Sequence, residues 1–195
     1  MCIRDSDVAA LGADFFVCSP YKFLGPHCGC LVADPALLET LHPDKLLPST
    51  DAVPERFELG TLPYELLAGT TAAIDFLAGL GTGPDRRSRL TTAMRALEEH
   101  EDRLRQRIED GVRELPGVTL WSRAARRTPT LLLTFAGRFL ADRGVNAPAG
   151  HFYAIEASRH LGLGNAGGLR VGLAPYNDDA DVDRLLAGLR ELLAG

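Results

Sequence analysis

The chain reads as an α/β fold in two parts, and three observations predict it. Short apolar runs that suit strands alternate with stretches of helical apolar periodicity. A break at Gly79, Gly81, Gly83 and Pro84 divides the chain. Beyond it, two amphipathic helical patterns enclose three further strand-like runs, which is the layout of a small α+β lobe. That break is the candidate domain boundary, between a first part over residues 1–80 and a small α+β domain over 81–195.

The elements follow in order. Phe15 to Cys18 is an apolar run backed by turn residues and predicts a buried strand, with no structural unit ahead of it. Residues 28–32 predict a second strand, and 34–41 a short helix. Residues 42–58 contain Pro43, Pro48 and Pro54 and form an irregular excursion long enough to need a functional or interface reason. Thr61 is placed to cap a helix over 63–80 that buries Leu66, Leu67, Ile74 and Leu77. Leu90, Met94, Leu97, Leu104, Ile108 and Leu115 keep a period near 3.6 over 86–115, which Pro116 and Gly117 end. Strands are expected at 118–121, 130–135 and 169–173, with barely two helical turns of room at 137–144. Asn177 is expected to cap a final helix whose acidic start is Asp178, Asp179 and Asp181. Val182, Leu185, Leu186, Leu189 and Leu193 make its apolar face.

Composition narrows the functional classes. With 46% apolar and 24% charged residues the chain is globular, and a formal charge of −5 does not suggest nucleic acid. The arginines at 123, 126 and 127 read as a solvated loop rather than a binding patch. Cysteines stand at 2, 18, 28 and 30. The Cys28-Gly29-Cys30 spacing is too tight for the usual metal pair, so no metal site is expected and the thiols read as free in a reducing compartment. No apolar stretch is long enough for a membrane span, and residues 1–6 do not form a signal peptide. The abrupt start suggests a fragment.

Lys22 carries the chemical interest. It is one of two lysines, the other being Lys45, and it lies in Ser19-Pro20-Tyr21-Lys22-Phe23-Leu24-Gly25-Pro26, between a strand and a Gly-Pro turn. A primary amine there suits reversible imine formation with a carbonyl cofactor once its charge is suppressed. Ser19 and Tyr21 offer hydroxyls to a phosphate, and Gly25 permits close approach. The competing reading is a lysine that ends a strand and faces water. Local spacing leaves both open.

These residues resemble the cofactor-lysine segment of the class V aminotransferases, most closely the cysteine desulfurase-like proteins. Two further stretches fall in the family's order. Arg56-Phe57-Glu58-Leu59-Gly60-Thr61 resembles its glutamate-glycine-threonine loop, and Leu169-Arg170-Val171-Gly172-Leu173-Ala174-Pro175-Tyr176-Asn177 its carboxylate-arginine strand. The resemblance implies the C-terminal part of the fold type I transferase fold, aspartate-aminotransferase-like, and pyridoxal 5'-phosphate as cofactor. It implies that Lys22 carries the cofactor covalently and moves the α-proton. Ser19 and Tyr21 would contact the phosphate, Tyr21 standing where a histidine is usual. Gly60 and Thr61 would reach the phosphate held by the partner subunit, making the site a property of a homodimer. Arg170 would grip the α-carboxylate of a small amino-acid substrate, and His151 would line the pocket. A cytoplasmic location is expected, with neither membrane nor nucleic acid as partner.

Three departures qualify that picture. Tyr153, in Gly150-His151-Phe152-Tyr153-Ala154, stands where desulfurases carry a mobile cysteine, and a phenol cannot hold a persulfide. The family's glycine-rich phosphate turn, ring-stacking residue and pyridine-pairing aspartate precede the lysine by more residues than stand before Lys22 here. The connection between Phe135 and Val145 is short for the helix expected there. Lyase, aminotransferase and desulfurase branches stay open, with little turnover expected of this chain alone. The alternative is a non-catalytic remnant serving as a structural or dimerisation module.

Overall fold

The computed structural model describes residues 6–58, 60–121, 124–125, 127–135 and 148–194. Two compact units make up the chain, 1–95 and 96–195. In the first, the Asp7 carboxylate accepts from the amides of Ala9 and Ala10 and starts α1 (Val8–Leu11), an element the apolar pattern does not announce. Strand β1 (Phe15–Cys18) pairs antiparallel with β2 (Cys30–Ala33), from Phe15 opposite Ala33 to Cys18 opposite Cys30. The second strand begins later than its apolar run because the Cys28 amide first closes a turn on the Pro26 carbonyl. Neither strand is buried as expected. Val17 exposes 72% of its surface, and Phe15, Leu31 and Val32 are exposed with it. Apolar, β-branched composition favours the extended strand, but burial needs a covering layer, and among the described residues these strands form a sheet of two.

Asp34 caps α2 (Pro35–Glu39) through the Ala36 amide at 2.7 Å. The proline-rich excursion that follows is held by one buried side chain, Arg56. Its guanidinium donates to the carbonyls of Asp51, Glu39 and Leu41 and pairs with the Glu39 carboxylate at 2.8 Å. A planar five-donor group can collect carbonyls in this way, so the excursion has a structural basis. Helix α3 (Tyr64–Gly79) starts at Pro63, whose carbonyl accepts from Leu66 and Leu67. Thr61 stands too far ahead of Tyr64 to cap it, contrary to expectation. Ala73, Leu77 and Ala78 form the buried face and Leu67 is exposed.

Helix α4 (Arg86–Arg113) begins where the Asp85 carboxylate accepts from the Ser88 amide at 2.8 Å. The second unit holds an antiparallel sheet ordered β3-β4-β6-β5: Thr119–Leu120, Thr130–Thr134, Gly168–Gly172 and Ala149–Gly150. Leu131 and Leu133 of β4 and Leu169 and Val171 of β6 project into one core. Leu104, Ile108 and Val112 of α4 meet them there, with Val182, Leu185, Leu186 and Leu189 of α6 (Asp179–Ala194). The apolar faces of α4 and α6 thus meet the sheet at the residues their periodicity marks. Asn177 does not cap α6. Its side-chain Oδ1 accepts from the Ala174 amide, while the Asp178 carboxylate accepts from the Asp181 amide and the Asp181 carboxylate accepts from the Asp178 amide. That reciprocal pair is a capping box, one residue beyond the predicted cap.

Arg127 is not a solvated loop residue. It pairs with Glu109, a buried carboxylate that also accepts from Arg105 and Arg113. Arg123, Arg126 and the 137–144 connection lie outside the described residues. Two elements of this unit have no apolar period to betray them: β5, which has two residues, and α5 (Ile155–His160).

Candidate active site

Three of the proposed cofactor residues of the first unit, Ser19, Tyr21 and Lys22, cluster on one turn. Residues Pro20–Phe23 form a 3-10 helix directly after β1, with Ser19 at its N-cap and Leu24 closing it in the left-handed region (φ 71°). The Gly25 amide donates to the Pro20 carbonyl at 2.9 Å, and a Cβ at Gly25 would stand 2.8 Å from the Pro20 Cβ. Gly25 is therefore required by the turn's own closure. The Ser19 hydroxyl makes no capping bond. Tyr21 is exposed and its ring stacks on His27, centroids 4.9 Å apart.

Lys22 is exposed rather than buried. Its ammonium lies 5.5 Å from the centre of the Tyr21 ring and has no hydrogen bond or ion pair among the described residues. Lys45 differs: its ammonium donates to the Ser49 carbonyl at 2.8 Å and pairs with Asp51 at 3.1 Å. The Asp51 carboxyl is held below its ordinary value by that lysine. Of the two amines, one is committed and one is free. Burial pushes the neighbouring Cys18 thiol up, as do Cys30 and Cys28 beside it, while the Lys22 ammonium opposes them. Gly60 and Thr61 occupy a separate turn before α3, Gly60 at φ 76° with open space around it, and no hydrogen bond joins them to the Lys22 turn.

The second unit brings Phe152, the residue after His151, against Arg170. Gly150 pairs with Gly168 across β5 and β6, so close to Gly167 that a Cβ there would meet the Gly150 carbonyl oxygen at 2.0 Å. The chain then turns through Phe152 (φ 50°) and Tyr153 (φ 66°), two bulky residues in the left-handed region. That turn lays the Phe152 ring under the Arg170 guanidinium, 4.1 Å from ring centre to the charged carbon. Arg170 is exposed on β6 and its side chain has no acceptor among the described residues. His151 has its Nδ1 buried without a partner. Tyr153 is fully exposed. The sequence reading missed Phe152 and His27. Both act by stacking, which leaves no spacing signal, although the glycines at 150, 167 and 168 mark the close crossing that aims Phe152.

The donor set fits a phosphorylated aldehyde in part. The first unit offers a primary amine and two hydroxyls on one turn, and the second, taken by itself, a guanidinium with no acceptor among the described residues. Among the described residues no group of three His, Cys, Asp or Glu side chains could hold a metal ion, and no helix is long and apolar enough to cross a membrane.

The architecture is that of the fold type I pyridoxal-phosphate-dependent transferases. The model of the class-V aminotransferases matches residues 2–185, and the chain belongs to that family, among its cysteine desulfurase-like members. It is 30% identical to an aminotransferase-like protein of Gibberella zeae over 97% of its own length and 48% of that protein's. It is 29% identical to a cysteine desulfurase of Klebsiella pneumoniae, over 95% of this chain and 47% of that one. The crystal structure of the Escherichia coli cysteine desulfurase CsdA superposes with a TM-score of 0.76 at 27% identity, covering 97% of this chain and 48% of that one. The chain thus spans about half the length of these relatives.

Proposed function

We propose that the chain supplies the lysine and carboxylate-binding share of a pyridoxal-phosphate-dependent amino-acid enzyme with lyase or aminotransferase chemistry. The carrying observation is the contrast between its two lysines: Lys45 is engaged by Ser49 and Asp51, whereas Lys22, on a turn with Ser19 and Tyr21, has no hydrogen bond or ion pair among the described residues. Bound there, pyridoxal phosphate would supply an electron sink for the bond broken at the amino acid's α-carbon. Lys22 would hold it covalently and move the proton at that carbon through Nζ. Ser19 and Tyr21 would donate to its phosphate. Arg170, steadied by the Phe152 ring, would pair with the α-carboxylate through two parallel N–H donors. His151 would stand beside that carboxylate. A homodimer in which Gly60 and Thr61 reach the partner's phosphate, and a cytoplasmic setting, belong to the same reading. The fully exposed phenol of Tyr153 argues against persulfide transfer from that loop.

The test is chemical. Incubation with pyridoxal phosphate followed by borohydride should fix a phosphopyridoxyl group on the peptide containing Lys22, in large excess over Lys45. Equal labelling of both lysines, or labelling unaffected by Lys22→Arg, would refute the assignment.

A further inference from the structure

The proposed chemistry leaves the thiols beside Lys22 unused. Cys18 ends β1 and Cys30 begins β2, and the antiparallel register sets them directly opposite each other. Directly opposed residues project to the same face with Cα atoms about 4.5–5.5 Å apart, inside the range of about 4.4–6.8 Å that a disulfide bridges. Cys30 lies near enough to push the Cys18 thiol up, alongside the burial that is the larger cause. Both are free, Cys30 being exposed and Cys18 half-buried. Cys28 is the other candidate partner nearby. Its sulfur is turned to the Thr70 hydroxyl at 3.5 Å, and that hydroxyl in turn donates to the Leu66 carbonyl on α3. A three-thiol metal site is not formed.

We infer that Cys18 and Cys30 are a thiol-modification site, closing to a reversible cross-strand disulfide with a small-molecule disulfide of the glutathione type as oxidant. The order of events follows from exposure. The Cys30 thiolate attacks one sulfur of oxidised glutathione, its sulfur–sulfur bond breaks, and one glutathione leaves as thiolate and takes a proton. The Cys18 thiolate then attacks the Cys30 sulfur of the mixed disulfide and expels the second glutathione. Two protein thiols lose two electrons and two protons, and oxidised glutathione becomes two glutathione thiols. Burial that raises the Cys18 thiol makes it a poor first attacker, but its place against Cys30 makes the second step intramolecular. The loop closed by the bridge contains Ser19, Tyr21 and Lys22, so the oxidation state bears directly on the lysine turn.

The 195-residue chain is equilibrated with oxidised or reduced glutathione, its remaining thiols are alkylated, and linked peptides are mapped by mass. In oxidised glutathione a Cys18–Cys30 link is expected in at least about nine-tenths of the chains, reversed by excess dithiothreitol. Cys28→Ser should leave that link unchanged. Cys18→Ser should strand Cys30 as a persistent mixed disulfide, with the far-ultraviolet spectrum of both variants checked against the parent. Persistent glutathionylation of Cys30 in the parent, or preferential linkage to Cys28 or Cys2, would overturn the inference.

Discussion

Gly167→Ala should break the small lobe's site edge while leaving its core composition untouched. A Cβ at this position would sit 2.0 Å from the Gly150 carbonyl oxygen, 2.1 Å from its carbon and 2.5 Å from the His151 amide nitrogen. Those are backbone atoms of β5 and its turn, so no side chain can swing away, and the strands must part by about 1 Å. Overpacking of this kind costs about 1–3 kcal/mol. Alanine at φ 69° adds about 1–2 kcal/mol, and the lower entropy of the unfolded chain returns about 0.4–1 kcal/mol. The net is a loss of about 2–4 kcal/mol, or a melting point lower by about 8 °C or more for a unit of this size. Gly172→Ala is the control. It ends the strand that begins just after Gly167, meets nothing within 4 Å, and should stay within about 0.5 kcal/mol of the parent. Thermal unfolding followed by circular dichroism compares the two. Because the turn aims Phe152 at Arg170, the ring-shifted Arg170 side-chain resonances should also move toward ordinary positions in Gly167→Ala. Equal melting points for the two variants would refute the close-crossing argument.

Other consequences follow from the same geometry. Phe152→Ala should weaken binding of L-alanine by about two- to fivefold in a nuclear magnetic resonance titration, through loss of the ring that holds the guanidinium, and Phe152→Tyr should restore it. An unchanged affinity in Phe152→Ala would separate Arg170 from its ring. Glu109→Ala should cost about 3 kcal/mol in urea unfolding, because it leaves three arginines facing one buried gap. A loss under about 1 kcal/mol would mean that water or Asp102 replaces the carboxylate. Asp179 is held below the ordinary value of 3.8 chiefly by hydrogen bonding from Arg103, and Asp181 chiefly by Asn177. Depressed carboxylates contribute stability that is complete above that ordinary value and lost as pH falls through the folded one. The first turn of α6 should therefore begin to lose amide protection only below about pH 4, and a protection profile unshifted in Arg103→Ala would contradict the assignment.

The small lobe was legible because its signals are local and repeated. Leu104 and Ile108 on one helix and Val182, Leu185, Leu186 and Leu189 on another fix their buried faces by periodicity alone. Caps were read one position off where two residues compete: Asn177 and Asp178 are both good caps, and the reciprocal bond with Asp181 selects the second. Thr61 failed because the carbonyl of Pro63 starts α3 without a side chain. Burial of β1 could not be read, since Val17 has the composition of a core strand whether or not a layer covers it. Arg127 was misread for a long-range reason. Its partner, Glu109, lies far back on α4, and nothing near Arg127 in sequence signals a buried carboxylate.

The candidate site divides along the same line between local and long-range information. Ser19, Tyr21 and Lys22 fall on one 3-10 turn because they are neighbours in sequence, so a motif suffices to find them. Arg170 and Phe152 meet only because β5 and β6 pair glycine against glycine, which brings two backbones close enough to bend the following turn under the arginine. Two left-handed aromatic residues are costly by about 1–2 kcal/mol each, a cost that the packing of a solvent-exposed Tyr153 does nothing to offset. The strain is better matched to the orientation of Arg170, whose charged edge is left free of acceptors among the described residues. A desulfurase needs mobility at the position of Tyr153, to carry sulfur away. This chain instead has a strained turn with a phenol at its tip and an aromatic ring beneath the arginine. On the proposed function, that turn holds a carboxylate in place rather than delivering sulfur.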